Sequence, residues 1–312
     1  MREQMDKKHN VRMRIFGRMH APLPDNAISA EQAGPSNCFG TLYVVATPIG
    51  NLEDITLRAL RIMKESSLIA AEDTRHTRAL LEKYGISTPL TSLYDQIERD
   101  KAPLIIGRLL KGNDVAYVSD AGTPGISDPG FILVREAISA GIKVSPIPGA
   151  SALLAALCTS GLPIEPFVFL GFLPSRRSQR RKLLQKMRAE EKTAIIYESP
   201  LRLVDLLNDI AEIWGDRQVV VSRELTKVYE EFIRGSAKEA LLALKGRTIK
   251  GEITLVVAGS SREKTAVTDE AIVLRAGELV GNDKKLTLRD VVDLIAKETE
   301  APRRRVYQLL VR

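Results

Sequence analysis

From Thr41 onward the chain alternates short apolar runs with amphipathic stretches. Thr41-Leu-Tyr-Val-Val-Ala46 has the length and β-branched character of a buried strand. The turn Thr47-Pro-Ile-Gly-Asn51 follows, and Asp54–Met63 then sets Ile55, Ala59, Ile62 and Met63 at helical spacing. Ser67–Ala71 predicts a second strand that runs straight into Glu72-Asp-Thr-Arg-His-Thr77. Asp114–Ser119 predicts another, ending at Asp120-Ala-Gly-Thr-Pro-Gly-Ile-Ser-Asp-Pro-Gly130; a helix over Ile132–Ala140, a strand over Lys143–Ile147 and the turn Pro148-Gly-Ala-Ser151 complete the series. Strands alternating with helices predict an α/β fold with a mostly parallel N-terminal sheet.

A second unit is predicted from about Gly161. It has strands at Phe167–Leu170, Thr193–Tyr197, Val219–Val221 and Ile253–Ala258, and helices at about 176–190, 201–213 and 237–244, a spacing compatible with a mixed C-terminal sheet. Gly259–Lys264 reads as a linker. In the tail, Thr287 can cap a helix whose Leu288, Val291, Val292 and Ile295 share a face, and Pro302 is placed to open another carrying Val306, Leu309 and Leu310. The expected organisation is a leader over 1–38, an α/β domain over 39–160, a second over 161–262 and a small helix-turn-helix-like appendage over 268–312.

Composition narrows the class. Of 312 residues, 44% are hydrophobic and 27% charged, ordinary globular usage that excludes a disordered chain or a collagen. No apolar run reaches the roughly 18 residues a spanning helix needs, so no membrane partner is expected. Aromatic residues are 5%, which argues against base stacking as the main binding device. The excess of 46 Lys and Arg over 39 Asp and Glu favours a polyanionic partner only weakly. Cys38 and Cys158 form no CxxC, and His9, His20 and His76 are scattered, so no metal site is expected and a reducing, cytoplasmic setting fits. Residues 1–38 hold Pro22, Pro24, Gly34 and Pro35 without an apolar period and read as a flexible leader; Glu3, Asp6, Asp25 and Glu31 argue against a transit peptide.

In an open parallel sheet, ligands bind beyond the carboxyl ends of the strands. Thr47–Asn51, Glu72–Arg75, Asp120–Gly130 and Pro148–Ser151 should gather there. Small residues let a ligand approach their backbone closely, although a plain solvated connector is the competing reading. Neither GxGxxG nor GxxxxGK[ST] follows a strand, so a dinucleotide or a phosphate-held nucleotide is not supported. A nucleoside without phosphate, such as S-adenosylmethionine, fits better, but composition does not establish it.

The motif Leu42-Tyr-Val-Val-Ala-Thr-Pro-Ile-Gly-Asn-Leu-Glu-Asp-Ile-Thr-Leu-Arg-Ala-Leu60 resembles the opening of the bacterial small-subunit (16S) rRNA cytidine 2′-O-methyltransferases, within the tetrapyrrole methylase superfamily. Glu72–Arg78, Val118–Gly130, Pro146–Ala152, Gly171-Phe-Leu-Pro174, Tyr197-Glu-Ser-Pro200, Arg223–Lys227 and Lys250-Gly-Glu252 match in the same order, so the resemblance covers about residues 40–260, and the tail resembles the family's appendage. One departure is Leu201, where the family usually has His after Glu-Ser-Pro.

The resemblance implies a two-domain tetrapyrrole-methylase-like fold, a homodimer, S-adenosylmethionine bound in the cleft between domains, and the ribose of a decoding-region cytidine in 16S rRNA as acceptor. It further implies that Pro48 and Ile49 lie against the donor, that Asp120, Gly122 and Thr123 hold its methionine and ribose parts, that Ser151 and Ala152 meet the adenosine, and that Tyr197 and Glu252 line the opposite wall. Alignment does most of the work in methyl transfer, but a ribose hydroxyl benefits from a base. Glu72, Asp73, Glu198, Glu224 and Lys227 all fall near predicted strand ends, and spacing does not choose among them; Glu72 and Asp73 with Arg75 could equally form a structural ion-pair cluster.

Residues 176–192 hold eight Lys or Arg against two Glu. Arg176/Arg180 and Arg177/Arg181 are like-charged i,i+4 pairs, each costing a helix about 0.2–0.5 kcal/mol, which points to phosphate contact through Arg176, Arg177, Arg180, Arg181 and Lys182. Arg303–Arg305 could add a second contact or be a plain solvated face. The rival readings are a methyltransferase acting on a small tetrapyrrole, against which two remote basic clusters speak, and an RNA-binding protein without catalysis.

Overall fold

The computed structural model describes residues 39–260, 268–282, 286–299 and 301–311; the leader and most of the Gly259–Lys264 linker lie outside them. The first sheet comprises β1 (Leu42–Val45), β2 (Leu68–Ala71), β3 (Leu90–Ser92), β4 (Val115–Val118) and β5 (Val144–Ile147), in the order β3-β2-β4-β1-β5. Every pairing is parallel.

β2 and β4 are buried at every residue, which is why they read as unbroken apolar runs. Successive side chains serve opposite faces. Leu68, Ala70, Val115 and Tyr117 pack with α3 (Asp95–Leu109) and α4 (Phe131–Ser139), whereas Ile69, Ala71, Ala116 and Val118 pack with α1 (Leu57–Glu65) and α2 (Thr74–Lys83). With all strands parallel, their carboxyl ends share one edge.

The second sheet comprises β6 (Phe167–Phe172), β7 (Thr193–Glu198), β8 (Gln218–Arg223), β9 (Glu231–Ser236) and β10 (Ile253–Val257), in the order β6-β7-β10-β8-β9. Only β6 and β7 pair in parallel. One face carries α6 (Arg177–Lys186), α7 (Leu203–Ile213) and α8 (Ala237–Leu244). The other packs Ile195, Val220 and Val256 against Ala156 and Leu157 of α5 (Ala152–Ser160), with Leu225 and, from the turn after β1, Ile49 in the same cluster.

The tail forms α9 (Asp269–Asn282), α10 (Leu288–Thr299) and α11 (Arg303–Leu310) around Ile272, Val291, Val292, Ile295 and Val306. Pro302 stands immediately before α11. The pattern of apolar positions missed α9 in this group, and also α2, α3, α5, β3 and β9. The physical reasons differ. Pro103 interrupts the text of α3, α5 is apolar around most of its circumference and shows no helical stripe, β3 spans three half-buried residues, and β9 is an edge strand whose Glu231 and Arg234 disguise it.

Candidate functional site

Three of the four small-residue turns meet the second sheet around one cavity of about 360 Å³, within the range of small-molecule sites. Ile49, the stretches 121–123 and 126–128, Ser151 and Ala152 form one wall; Phe172, 197–200, Leu225 and 251–254 form the other. Hydrogen bonds fix the first wall: the backbones of Thr47 and Gly122 each donate to the other's carbonyl, at 2.9 and 3.0 Å, and the Thr123 side chain donates from Oγ1 to the Ala150 carbonyl at 3.2 Å.

The β1 turn also touches the turn between β8 and β9. A Cβ on Gly50 would stand 2.4 Å from Lys227 Cγ, so glycine is what lets these turns close, and the Asn51 N–H donates to Thr226 Oγ1 at 3.0 Å. Glu224 and Thr226 hold left-handed φ values of 52° and 65°, a local strain that the surrounding contacts must offset. Glu224 Oε1 accepts from Lys227 Nζ and from the Glu252 N–H, both at 2.9 Å, and Lys227 Nζ reaches Glu252 Oε2 at 3.2 Å. The lysine contact is the main reason the Glu224 carboxyl lies below its ordinary pKa.

The wall is acidic. Asp128, Glu198 and Glu252 line the cavity, and no Lys or Arg does. Burial pushes the Asp128 carboxyl above its ordinary pKa, and the charges of Asp120 and Asp95 add to the rise. Glu198 Oε1 accepts from Arg202 Nε at 2.6 Å and from the Ser199 N–H at 2.8 Å, whereas Oε2 is buried with no partner among the described residues. Tyr197 packs against Phe169 and Phe172, with centroids 5.0 and 5.7 Å away, and its hydroxyl accepts the Leu153 N–H in the first turn of α5 at 3.2 Å. Burial raises its pKa.

Of the residues expected to hold a donor, Ile49, Gly122, Thr123, Ser151, Ala152, Tyr197 and Glu252 line this cavity, and Pro48 and Asp120 do not. Asp120 Oδ1 accepts the Asp73 N–H at 2.9 Å, so the strand-end carboxylate has its partner in the neighbouring turn. Among the base candidates only Glu198 lines the cavity. Glu72 Oε2 lies 3.4 Å from the Asp120 N–H, and burial raises its pKa. Asp73 caps α2 and pairs with Arg75 at 2.8 Å, which holds its carboxyl down at about 2. Asp73 is thus a capping residue. Asp128, Phe172 and Thr254 escaped notice as site residues; Asp128 and Phe172 lie inside motifs already singled out, but nothing in spacing marks which side chains of such a loop turn inward.

One expectation for the basic helix is corrected. Arg180 is 2% exposed and donates through Nε and Nη2 to Asp209 Oδ2 at 2.9 and 2.7 Å, so it is withdrawn from any phosphate. Arg181 bonds Asp209 at 2.8 Å and Glu212 at 2.6 Å, and Arg177 approaches Asp209 at 3.3 Å. The crowded like charges are balanced by a neighbouring helix, which sequence spacing within one helix does not reveal. Leu201, where the resemblance expects His, is 90% exposed and outside the cavity wall. Trp214 is buried and donates from Nε1 to the Leu184 carbonyl at 2.7 Å, while Cys158 is an exposed free thiol.

Residues 41–241 match the family model of the Tetrapyrrole (Corrin/Porphyrin) Methylases. The chain is 51% identical over 224 residues to the Ribosomal RNA small subunit methyltransferase I of Halalkalibacterium halodurans, covering 72% of this chain and 78% of the relative. It is 45% identical over 273 residues to the protein of the same name from Synechocystis sp., covering 87% and 97%. Among solved structures, a diphthine synthase superposes with a TM-score of 0.56 at 16% identity over 70% of this chain and 89% of that one. The cobalt precorrin-4 methyltransferase CbiF superposes with 0.54 at 16% identity, over 70% and 94%. At such identities the two structures support the fold, a pairing of a parallel and a mixed sheet, and nothing finer.

Proposed function

Because the chain belongs to the tetrapyrrole methylase family, in the branch of the small-subunit rRNA methyltransferases, we propose that it uses S-adenosylmethionine to methylate the ribose 2′-oxygen of a cytidine in the decoding region of 16S rRNA. The observation that carries the donor assignment is the cavity wall: no Lys or Arg lines it, Asp128 stands in it without an ion pair among the described residues while Glu198 and Glu252 are paired to Arg202 and Lys227 behind it, and apolar Ile49, Ala152, Phe172 and Leu225 lie beside them. Such a wall favours a cation with an apolar body and disfavours a phosphate.

In this reading Ile49, Gly122, Thr123, Ser151, Ala152, Tyr197 and Glu252 hold the donor, and Asp128 adds its charge. The donor supplies a methyl on a sulfonium, whose carbon–sulfur electron pair leaves with the sulfur as the acceptor oxygen bonds to carbon. The protein's part is to align the hydroxyl, exclude water and receive its proton. Among the base candidates Glu198 alone lines the cavity, and we assign the proton of the attacking hydroxyl to it. Arg202 positions the carboxylate through Oε1.

The substrate is read as rRNA within the small ribosomal subunit, and the enzyme as a cytoplasmic homodimer. No helix among the described residues is long and apolar enough to cross a membrane. A tetrapyrrole acceptor is the weaker reading, because the relatives' names point to rRNA. The test is transfer of labelled methyl to small subunits from cells lacking this protein, followed by nucleoside analysis. Label in 2′-O-methylcytidine supports the assignment; label on a base, or in a tetrapyrrole alone, refutes it.

A further inference from the structure

The pairing around Asp209 divides α6 into two cationic faces with different work. Leu184 and Met187 pack into the core beneath the helix, and Arg177, Arg180 and Arg181 beside them are tied to Asp209 and Glu212. Ser178, Gln179, Lys182, Gln185 and Lys186 occupy the opposite side, are exposed, and include no carboxylate. No ion pair involves Lys182 or Lys186 among the described residues, and the same holds for exposed Arg176, which precedes the helix.

We propose that this outer face, with Arg176 at its start, is a phosphate track for the RNA strand that carries the target nucleotide. The inference rests on the RNA acceptor proposed above and assigns the residues that engage it. Three observations combine. First, cations with neutral amide and hydroxyl donors and no competing carboxylate suit phosphate and sugar oxygens, which take most protein–nucleic acid hydrogen bonds. Second, the track begins at the cavity: Phe172 lines the wall, and Leu173–Ser175 connect it directly to Arg176. Third, the Asp209 clamp holds α6 against α7, so the cations stand on a fixed element rather than a loose loop. The track fixes strand register and carries no base identity.

The test compares the full-length triple variant R176Q/K182Q/K186Q with the wild type and with Arg181→Gln, using unmodified small subunits as substrate. The triple variant should raise KM for the subunits at least tenfold. In direct binding it should reduce the slope of log affinity against log salt by about 2, since each lost single-strand phosphate contact removes about 0.7. Calorimetric affinity for S-adenosylmethionine should stay unchanged. Arg181→Gln should lower thermal stability and leave KM and salt slope alone. An unchanged KM and slope in the triple variant, or an equal loss of slope in Arg181→Gln, overturns the track. Loss of donor affinity in the triple variant overturns it too, because the face would then be serving the cavity. A wild type that binds subunits in a salt-dependent manner but fails to methylate them would refute the proposed reaction and leave the track standing.

Discussion

Arg180 and Asp209 form a nearly solvent-free ion pair, with guanidinium side chain 3% and carboxylate 0% exposed, that joins α6 to α7. Removing one member of such a pair leaves an uncompensated buried charge, at a cost of about 3–5 kcal/mol. Asp209→Ala should therefore destabilise the protein by about that amount in denaturant titration. Burial alone pushes the Asp209 carboxyl up, but Arg180, Arg181 and Arg177 together outweigh it and leave it below its ordinary pKa. Its contribution is thus present above the unfolded value of about 4 and is lost as pH falls through the lower folded value. The acid limb of the wild-type stability profile should flatten in Asp209→Ala.

Asp128 has the opposite sign. Its raised pKa means that ionisation in the folded state is unfavourable, so stability falls as pH rises from the unfolded to the folded value. A cationic ligand benefits from the ionised form. Donor affinity should rise with pH through the range just above ordinary carboxylates, and Asp128→Asn should flatten that rise. The same variant should weaken S-adenosylmethionine more than its neutral demethylated thioether, a comparison that calorimetry reads as a ratio.

Glu198→Gln separates chemistry from binding. With Arg202 still in place, the amide should lower kcat by about 10² or more, the usual contribution of a positioned proton acceptor, and leave donor affinity within about threefold. Equal losses in both would make Glu198 a donor-holding residue.

The junction of the two walls is tested at Gly251. Its φ is +89°, and a Cβ there would lie 2.3 Å from Glu224 Cδ, in the cluster with Lys227 and Glu252. Gly251→Ala should displace Glu224, loosen the turn that carries Leu225 and weaken donor binding at least tenfold, with a fall in thermal midpoint as a second readout.

The parallel sheet was legible because β2 and β4 are buried on both faces and read as uninterrupted apolar text. Asp120–Gly130 stood out in the sequence because so many small residues exceed what a connector needs, and 121–123 and 126–128 line the cavity. Side-chain direction was not legible. Asp120 and Asp128 share one loop and one charge, yet Asp120 turns to the Asp73 N–H outside the cavity wall, which Asp128 lines. The arginines of α6 misled for a related reason: their repulsion within the helix is visible in the sequence, whereas the carboxylate that relieves it lies about 30 residues away on α7.

Calorimetric titration of the full chain with S-adenosylmethionine, repeated on Gly122→Val, tests the assignment of the cavity most directly. Gly122 lines the cavity with φ +78°, and an added Cβ there would stand 3.3 Å from Ile49 Cγ2 on the same wall, so a branched side chain must displace that wall. The predicted result is saturable binding at one site per chain for the wild type and a loss of at least tenfold in the variant. Binding that never saturates, or that the variant leaves unchanged, would contradict the assignment of this cavity to the methyl donor.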